Sequence, residues 1–198
     1  MGKWEYNTAG VPDDLFVRGN VPMTKEEIRA VVIAKLRLKP GQIVFDIGAG
    51  TGSISIEAAF QVGEGIVYAV ERKEEALNLI KENAANFGLN NIEFVPGEAS
   101  QVLASLPAPD RVIVGGSGGN LQEILKIINK KLKNRGRIVI TAVTTNTLNQ
   151  AIASLEALQY QLNICHIAVT RTKKIADYHM FAALNPVYII TAAKEETI

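Results

Sequence analysis

The 198-residue sequence has few of the residues that build disulfide-bonded, metal-binding or membrane proteins. Its single cysteine, Cys165, excludes an intramolecular disulfide framework and a multi-cysteine zinc site. No apolar run approaches the roughly 20 residues that a membrane-spanning helix needs, and no signal-peptide pattern opens the chain. We therefore expect a soluble, cytoplasmic protein without a membrane partner, and we find no metal-ligand spacing.

Charge and composition are those of an ordinary globular protein. The net charge is +1, with 47% hydrophobic and 21% charged residues, which is ordinary for a globular protein. So small a net charge argues against a uniformly basic surface, and we therefore do not expect nucleic acid as a partner. A local basic patch stays open. The length suits one domain over residues 1–198, in which the apolar segment 1–22 forms an arm lying over the domain or a neighbouring subunit.

The glycine-rich stretch at residues 43–52 organises the rest of the chain. Its apolar start suits a strand buried on both faces of a parallel sheet, and the residues after it can wind into a helix. Glycines let the backbone approach a ligand closely, and they alternate here as Gly48, Gly50 and Gly52. A dinucleotide fingerprint would need its third glycine at the position of Ser53. With Asp46 before the turn, the stretch resembles motif I of the class I S-adenosylmethionine-dependent methyltransferases.

An acid ends the next apolar run, at residues 66–71. A carboxylate at the tip of this second strand can accept hydrogen bonds from both hydroxyls of a ribose, which favours a nucleoside site at Glu71 over a solvated charge. The class I resemblance implies that adenine is held at the end of the third strand by a backbone N–H and an acidic side chain. Glu98 and Ala99 stand at that point, where a plain turn is the alternative.

The order of the predicted segments indicates an α/β fold. Five strands alternate with helices, and two further strands follow with no helix between them. This order predicts a Rossmann-like, seven-stranded class I methyltransferase sheet, mostly parallel, with an antiparallel C-terminal β-hairpin over residues 160–193 closing one edge. The predicted strands are 43–47, 66–71, 92–95, 111–114, 137–143, 161–170 and 187–193.

A helix is predicted before the first strand. Thr24 to Glu27 has the pattern of a capping box, in which the Thr24 hydroxyl accepts from the Glu27 N–H and the Glu27 side chain reaches back. The apolar stripe of this helix stops at Pro40 and Gly41. Whether Thr24 also touches the methionine end of a cofactor stays open.

Residues suited to acid–base chemistry are scarce. Tyr178 and His179 are the one plausible pair, with a subunit contact as the alternative. The glycine-rich segment 114–120 lacks the Asn-Pro-Pro-aromatic signature and suits a bulky or anionic substrate, or is simply a flexible turn. Six basic residues could together bind a polycarboxylate or could form a solvated surface: Arg18, Lys25, Arg29, Arg171, Lys173 and Lys174. We identify no catalytic residue.

With the N-terminal residues included, the resemblance becomes more specific. Residues 10–16, Arg18, 22–29 and 46–52 resemble the decarboxylating cobalt-precorrin-6B (carbon-15) methyltransferases of anaerobic cobalamin biosynthesis. The resemblance implies a tetrapyrrole substrate that is methylated at carbon 15 and loses carbon dioxide from an acetate side chain. It also implies a homo-oligomer, a tetramer, and an S-adenosylmethionine site formed by Thr24, Gly48, Ala49, Gly50, Thr51, Gly52, Glu71 and Ala99.

Two other classes of function remain open at this point. A class I methyltransferase acting on RNA or another small molecule would use the same cofactor fold, and salt-sensitive RNA binding would favour it. A non-catalytic nucleoside-binding module would bind the cofactor without turnover. Methyl transfer to an electron-rich ring carbon needs mostly positioning, so the lack of a clear catalytic pair does not argue against an enzyme.

Overall fold

Strands and helices alternate through the chain as far as the sixth helix, after which only strands follow. The computed structural model describes residues 4–193. Within that range the helices are α1 Glu26–Leu36, α2 Ser53–Val62, α3 Glu74–Asn86, α4 Ala99–Val102, α5 Leu121–Lys131 and α6 Thr145–Ala157. The strands are β1 Ile43–Ile47, β2 Ile66–Glu71, β3 Ile92–Pro96, β4 Arg111–Val114, β5 Arg137–Ala142, β6 Gln161–Ile167, β7 Thr170–Ile175, β8 Tyr178–Ala183 and β9 Val187–Ala193.

The main sheet has seven strands in the order β3-β2-β1-β4-β5-β9-β6. Strands β1 to β5 pair in parallel, whereas β9 runs antiparallel between β5 and β6. The predicted α/β sheet with an antiparallel hairpin at one edge is therefore confirmed. The predicted domain limits 1–198 include residues 1–3 and 194–198, which lie outside the described residues.

The sheet is covered on both faces because side chains alternate along its strands. Val44 of β1 belongs to the core on the side of α1, α2 and α3, whereas Phe45 belongs to the core on the side of α5 and α6. Strand β4 is buried along its whole length, as a central parallel strand should be. This packing brings the carboxyl ends of β1, β2, β4 and β5 to one edge, where ligands bind in open α/β sheets.

The connection between the last two strands of the main sheet holds a hairpin that was not predicted. Strands β7 and β8 pair with each other as a separate two-stranded sheet, with Thr170 opposite Ala183 at its base. The predicted strand 161–170 is therefore divided, since β6 ends at Ile167. Nearly all side chains of β7 and β8 are exposed, so no alternation of apolar and polar residues marks them.

The predicted capping box at Thr24 is wrong. Helix α1 begins at Glu26 with Lys25 as its N-cap, and within residues 4–193 no side chain caps it. The carbonyl of Thr24 accepts a hydrogen bond from the Arg29 guanidinium, and the Glu27 carboxylate accepts from Arg171 instead of reaching back. The helix also ends earlier than predicted, at Leu36, and the next residue, Arg37, is left-handed.

The described part of the N-terminal arm lies on the domain itself. Val11 and Phe16 are buried in the core beside α1, and Asp13–Leu15 forms one turn of 3-10 helix between them. Asn83 of α3 accepts a hydrogen bond from the Val17 N–H at 2.8 Å and donates to the Val17 carbonyl at 2.7 Å. The arm then passes over the carboxyl edge of the sheet on its way to α1.

Candidate functional site

A cavity of about 720 Å³ opens at the carboxyl edge of the sheet. Its lining falls into three groups: the glycine loop after β1 with Glu71, the end of the arm over Val21–Lys25, and the base of the β7–β8 hairpin with the end of β5. A smaller pocket of about 170 Å³ adjoins it and shares Gly48 and Glu71 with it. The smaller pocket continues to the end of β3 and to the glycine-rich turn after β4.

The glycine loop has a shape that only glycine fits at two of its positions. Gly48 has a φ of +70°, and a Cβ there would lie 2.7 Å from the Cα of Gly116. Gly52 has a φ of +78°, and a Cβ there would lie 2.8 Å from Cγ2 of Ile80. Side chains rarely adopt such φ values, and the neighbouring backbone cannot give way at Gly48. The loop therefore packs tightly against the turn after β4, which leaves the space on its other side for a ligand.

Glu71 joins the glycine loop to the end of β2. Its carboxylate accepts hydrogen bonds from the Gly50 N–H at 3.1 Å and from the N–H groups of Arg72 and Lys73 at 2.9 and 3.0 Å. The side chain lies where the large cavity meets the small pocket. A carboxylate held there can accept hydrogen bonds from the two hydroxyls of a ribose.

Three buried polar residues line the large cavity, namely Asp46, Thr51 and Ser53, and the first two are informative. Asp46 is 1% exposed and accepts a hydrogen bond from the Ser55 hydroxyl at 2.5 Å. Burial raises the pKa of Asp46 to about 6, and the nearby charge of Glu71 acts in the same direction. The Thr51 hydroxyl is 1% exposed and has no hydrogen-bond partner among residues 4–193. Buried polar atoms are nearly always paired, so the Thr51 hydroxyl fits a polar ligand in this cavity.

The structure brings most of the predicted cofactor residues to the two pockets. Thr24, Gly48, Ala49, Gly50, Thr51 and Glu71 line the large cavity, and Glu98 and Ala99 line the small pocket. Gly52 instead lies behind the loop against Ile80 and precedes α2. The Glu98 carboxylate accepts from the Arg72 guanidinium at 2.9 Å, across the small pocket.

The predicted basic group is not a single site. Arg29 is fully buried and forms ion pairs with Glu57 at 2.8 Å and Asp13 at 2.7 Å, so it cannot reach a substrate. Arg171 pairs with Glu27 and Asp13. Of the six predicted residues, Lys25 alone is among those that line the described cavity.

Several cavity residues were missed by the sequence analysis. Lys73 lies two residues after the acid of β2, and this spacing was the one available signal for it. Thr141 and Val143 could have been predicted from the position of β5, because the carboxyl end of this strand lies at the site. The hairpin-base residues had no sequence signal: Val169, Ala183, Leu184 and Asn185.

The predicted acid–base pair is not at the cavity. Tyr178 and His179 lie at the far end of the hairpin, opposite Ile175 and Lys174, and neither lines either described pocket.

No helix within residues 4–193 has the length and apolar character needed to cross a bilayer.

Comparison with known proteins decides the family. A family model described as "Precorrin methyltransferase domain" matches residues 14–194. The chain belongs to the precorrin methyltransferase family. It is therefore an enzyme, a methyltransferase, and the family and fold imply the use of S-adenosylmethionine. The resemblance stated from the sequence is confirmed.

Individual relatives of this precorrin methyltransferase support the assignment along its whole length. It is 46% identical to a Pyrobaculum calidifontis protein named "Probable cobalt-precorrin-6B C(15)-methyltransferase (decarboxylating)", covering 96% of this chain and 98% of that protein. It is 39% identical to the Salmonella typhimurium cobalt-precorrin-6B C(15)-methyltransferase (decarboxylating), with 93% and 96% covered. The crystal structure of a precorrin-6y C5,15-methyltransferase from Geobacter metallireducens is similar with a TM-score of 0.90 and 42% identity, with 94% and 98% covered.

Proposed function

We propose that this enzyme methylates carbon 15 of a corrin-ring precursor, cobalt-precorrin-6B, and removes carbon dioxide from an acetate side chain of the ring, as a step of cobalamin biosynthesis. The observation that carries the proposal is the composition of the large cavity. One side is the glycine loop with Glu71, and the other is built from β5 and the hairpin base. A volume of about 720 Å³ lies within the range of small-molecule sites.

The proposed cofactor site spans both pockets. Thr24 and residues 48–51 would face the methionine part of S-adenosylmethionine, with Gly52 shaping the loop from behind. Glu71 would accept from the ribose, and Glu98 and Ala99 would hold adenine. The unpaired Thr51 hydroxyl and the steric need for glycine at Gly48 support this placement. When bound, S-adenosylmethionine supplies an electrophilic methyl group on a sulfonium.

The proposed chemistry relies on the position of the reacting groups. A carbon–carbon bond forms at the ring carbon while the carbon–sulfur bond of the donor breaks and its electron pair stays on sulfur. The cavity walls would position the ring carbon for in-line attack, and such positioning can contribute about 7–11 kcal/mol when the geometry is close to attack. In the decarboxylation, the electron pair of the breaking carbon–carbon bond enters the conjugated ring, and a proton then replaces carbon dioxide. Lys25 and Lys73 place two cationic side chains in a lining that also holds Asp46 and Glu71, and these lysines can pair with carboxylates of the ring.

The test is an incubation with S-adenosylmethionine and cobalt-precorrin-6B, followed by mass spectrometry of the corrinoid. The expected product is heavier by one methylene group and lighter by one carbon dioxide. Methylation without loss of carbon dioxide would confine the enzyme to methyl transfer. An unchanged corrinoid, with cofactor binding intact, would overturn the proposal and direct the search to RNA or another small molecule.

Cofactor binding can be measured separately by calorimetry. The variant Glu71→Gln should raise the Kd for S-adenosylmethionine about 10- to 100-fold, because a hydrogen bond to a charged group is worth about 1.5–3 kcal/mol. Glu93→Gln is the matched control, since Glu93 is exposed on the neighbouring strand β3 and lines neither pocket. Equal Kd values for the two variants would refute the role of Glu71.

We further propose that the enzyme is a cytoplasmic homotetramer that assembles through the β7–β8 hairpin. Tyr178 is 75% exposed and Phe181 is 82% exposed, and neighbouring apolar side chains of the hairpin are also exposed. Large exposed apolar side chains in one patch are typical of subunit contacts. Light scattering should give the mass of four chains for the unmodified protein and a lower mass for Phe181→Asp. A monomeric unmodified protein would refute the assembly.

The free thiol Cys165 suits the reducing cytoplasm.

A further inference from the structure

Arg171 lies at the base of the β7–β8 hairpin and bridges two other parts of the chain. Its Nε donates to one oxygen of Glu27 at 2.7 Å, and its Nη2 donates to the other at 2.6 Å. The same Nη2 donates to Asp13 at 2.9 Å. A guanidinium that meets a carboxylate through two parallel hydrogen bonds has the strongest and most directional form of this ion pair.

The hairpin has few other ties at its base to the main sheet. Its strands pair only with each other among the described residues, and two-stranded hairpins are marginally stable by themselves. Leu184 donates its N–H to the Val169 carbonyl at 2.9 Å, which closes the base of the hairpin. Val169, Ala183 and Leu184 line the large cavity, so the orientation of the hairpin sets one wall of that cavity.

The partners of Arg171 belong to the arm and to α1, which form a different part of the cavity lining from the hairpin. Glu27 lies in the first turn of α1, between Lys25 and Ile28, which both line the cavity. Asp13 belongs to the arm, and its second oxygen accepts from the buried Arg29 at 2.7 Å. Hydrogen bonding to Arg171 lowers the pKa of the Glu27 carboxyl, so the pair stays ionised near neutral pH.

We propose that Arg171 is a positioning residue that fixes the hairpin wall of the cavity against the wall formed by the end of the arm and the start of α1. It lies next to the Thr170–Ala183 pair in the hairpin register, so its tie to Glu27 sets the distance between the two walls. Its guanidinium is engaged by carboxylates of this chain. The inference rests on the proposed function, because the wall that it places is the wall for the methyl acceptor.

The test compares Arg171→Gln with the unmodified enzyme. We expect the KM for the corrinoid acceptor to rise about tenfold while kcat and the Kd for S-adenosylmethionine change less than twofold. Glu27→Gln should have a similar effect, and the double variant should be no worse than either single variant, because the two residues act as one unit. Lys174→Gln is the matched control: it removes the same charge from the same strand, and Lys174 does not line the described cavity.

Amide hydrogen exchange gives a readout that needs no acceptor. In Arg171→Gln, exchange at residues 168–185 should become about tenfold faster, while exchange in α5 stays unchanged. The proposal is overturned by an unchanged KM and unchanged exchange, by an equal rise in KM for Lys174→Gln, or by additive effects in the double variant. If the unmodified enzyme leaves the corrinoid unaltered, the proposed function fails, and the exchange experiment still decides the role of Arg171.

Discussion

Arg29 is fully buried on α1, and its guanidinium contacts three separate parts of the chain. It donates to Glu57 of α2 at 2.8 Å, to Asp13 of the arm at 2.7 Å, and to the carbonyls of Val11 and Thr24. It therefore ties together the arm, α1 and α2. We expect Arg29→Met to destabilise the fold strongly, because methionine fills similar space but leaves Glu57 without its cation.

The size of the loss follows from burial. Glu57 is 1% exposed, and without Arg29 it keeps only the N–H groups of Gly10 and Val11 as partners among residues 4–193. Removing one partner of a buried ion pair costs about 3–5 kcal/mol, because the other charge stays buried. For a domain of this size, each kcal/mol lowers Tm by about 2–4 °C, so Tm should fall by about 6–20 °C.

The assay is thermal and urea unfolding followed by circular dichroism. Lys81→Met is the control: Lys81 is exposed on α3, and its loss should change the free energy of unfolding by less than about 0.5 kcal/mol. The double variant Arg29→Met with Glu57→Gln should be more stable than Arg29→Met alone, because no unpaired charge remains. A loss below about 1 kcal/mol in Arg29→Met, or a double variant less stable than the single one, would refute the reasoning.

Two further predictions concern the glycine loop and the strand before it. Gly48→Ala should raise the Kd for S-adenosylmethionine at least tenfold. The control Gly63→Ala should leave the Kd unchanged, because Gly63 is also at positive φ but a Cβ there would have nothing within 4 Å. Equal Kd values for the two variants would contradict the steric argument. Burial raises the pKa of Asp46 to about 6 from an ordinary value of 3.8. Between these pH values, the folded chain therefore keeps a proton on Asp46 that the unfolded chain has released. Its ionisation should lower the free energy of unfolding by up to about 3 kcal/mol as pH rises from about 4 to 7. In Asp46→Asn, the free energy of unfolding measured with urea should not fall in this way between about pH 4 and 7. If the variant and the unmodified protein show parallel dependence on pH, the assignment to Asp46 is wrong.

The main sheet could be predicted because its signals are local. Each of the first five strands is an apolar run followed by a helix, and parallel strands buried on both faces need such runs. The glycine turn and Glu71 were recognisable for the same reason, since the whole unit lies within residues 43–71. The β7–β8 hairpin was missed because exposed strands bury no apolar face and leave no alternation in the sequence.

The error at Thr24 has a different cause. The sequence from Thr24 to Glu27 satisfies the local rule for a capping box, but Glu27 has a stronger partner in Arg171, which is distant in the chain. A bidentate ion pair prevails over a single hydrogen bond to a backbone N–H. Arg29 was misinterpreted for a related reason: its buried partners come from segments that only the fold brings together.

The two walls of the cavity therefore differ in how they are encoded. The centre of the proposed cofactor site, the glycine loop with Glu71, lies within one segment from β1 to β2, so its chemistry can be recognised from spacing alone. The opposite wall combines the end of β5 with Val169 and residues 183–185, and it faces Lys25 from the start of the chain. Nothing local marks these residues, and only the whole-chain resemblance indicated the acceptor. Substitutions at the glycine loop or at Glu71 should thus act on cofactor affinity, whereas substitutions at Val169, at residues 183–185 or at the ion pairs that hold them should act on the acceptor.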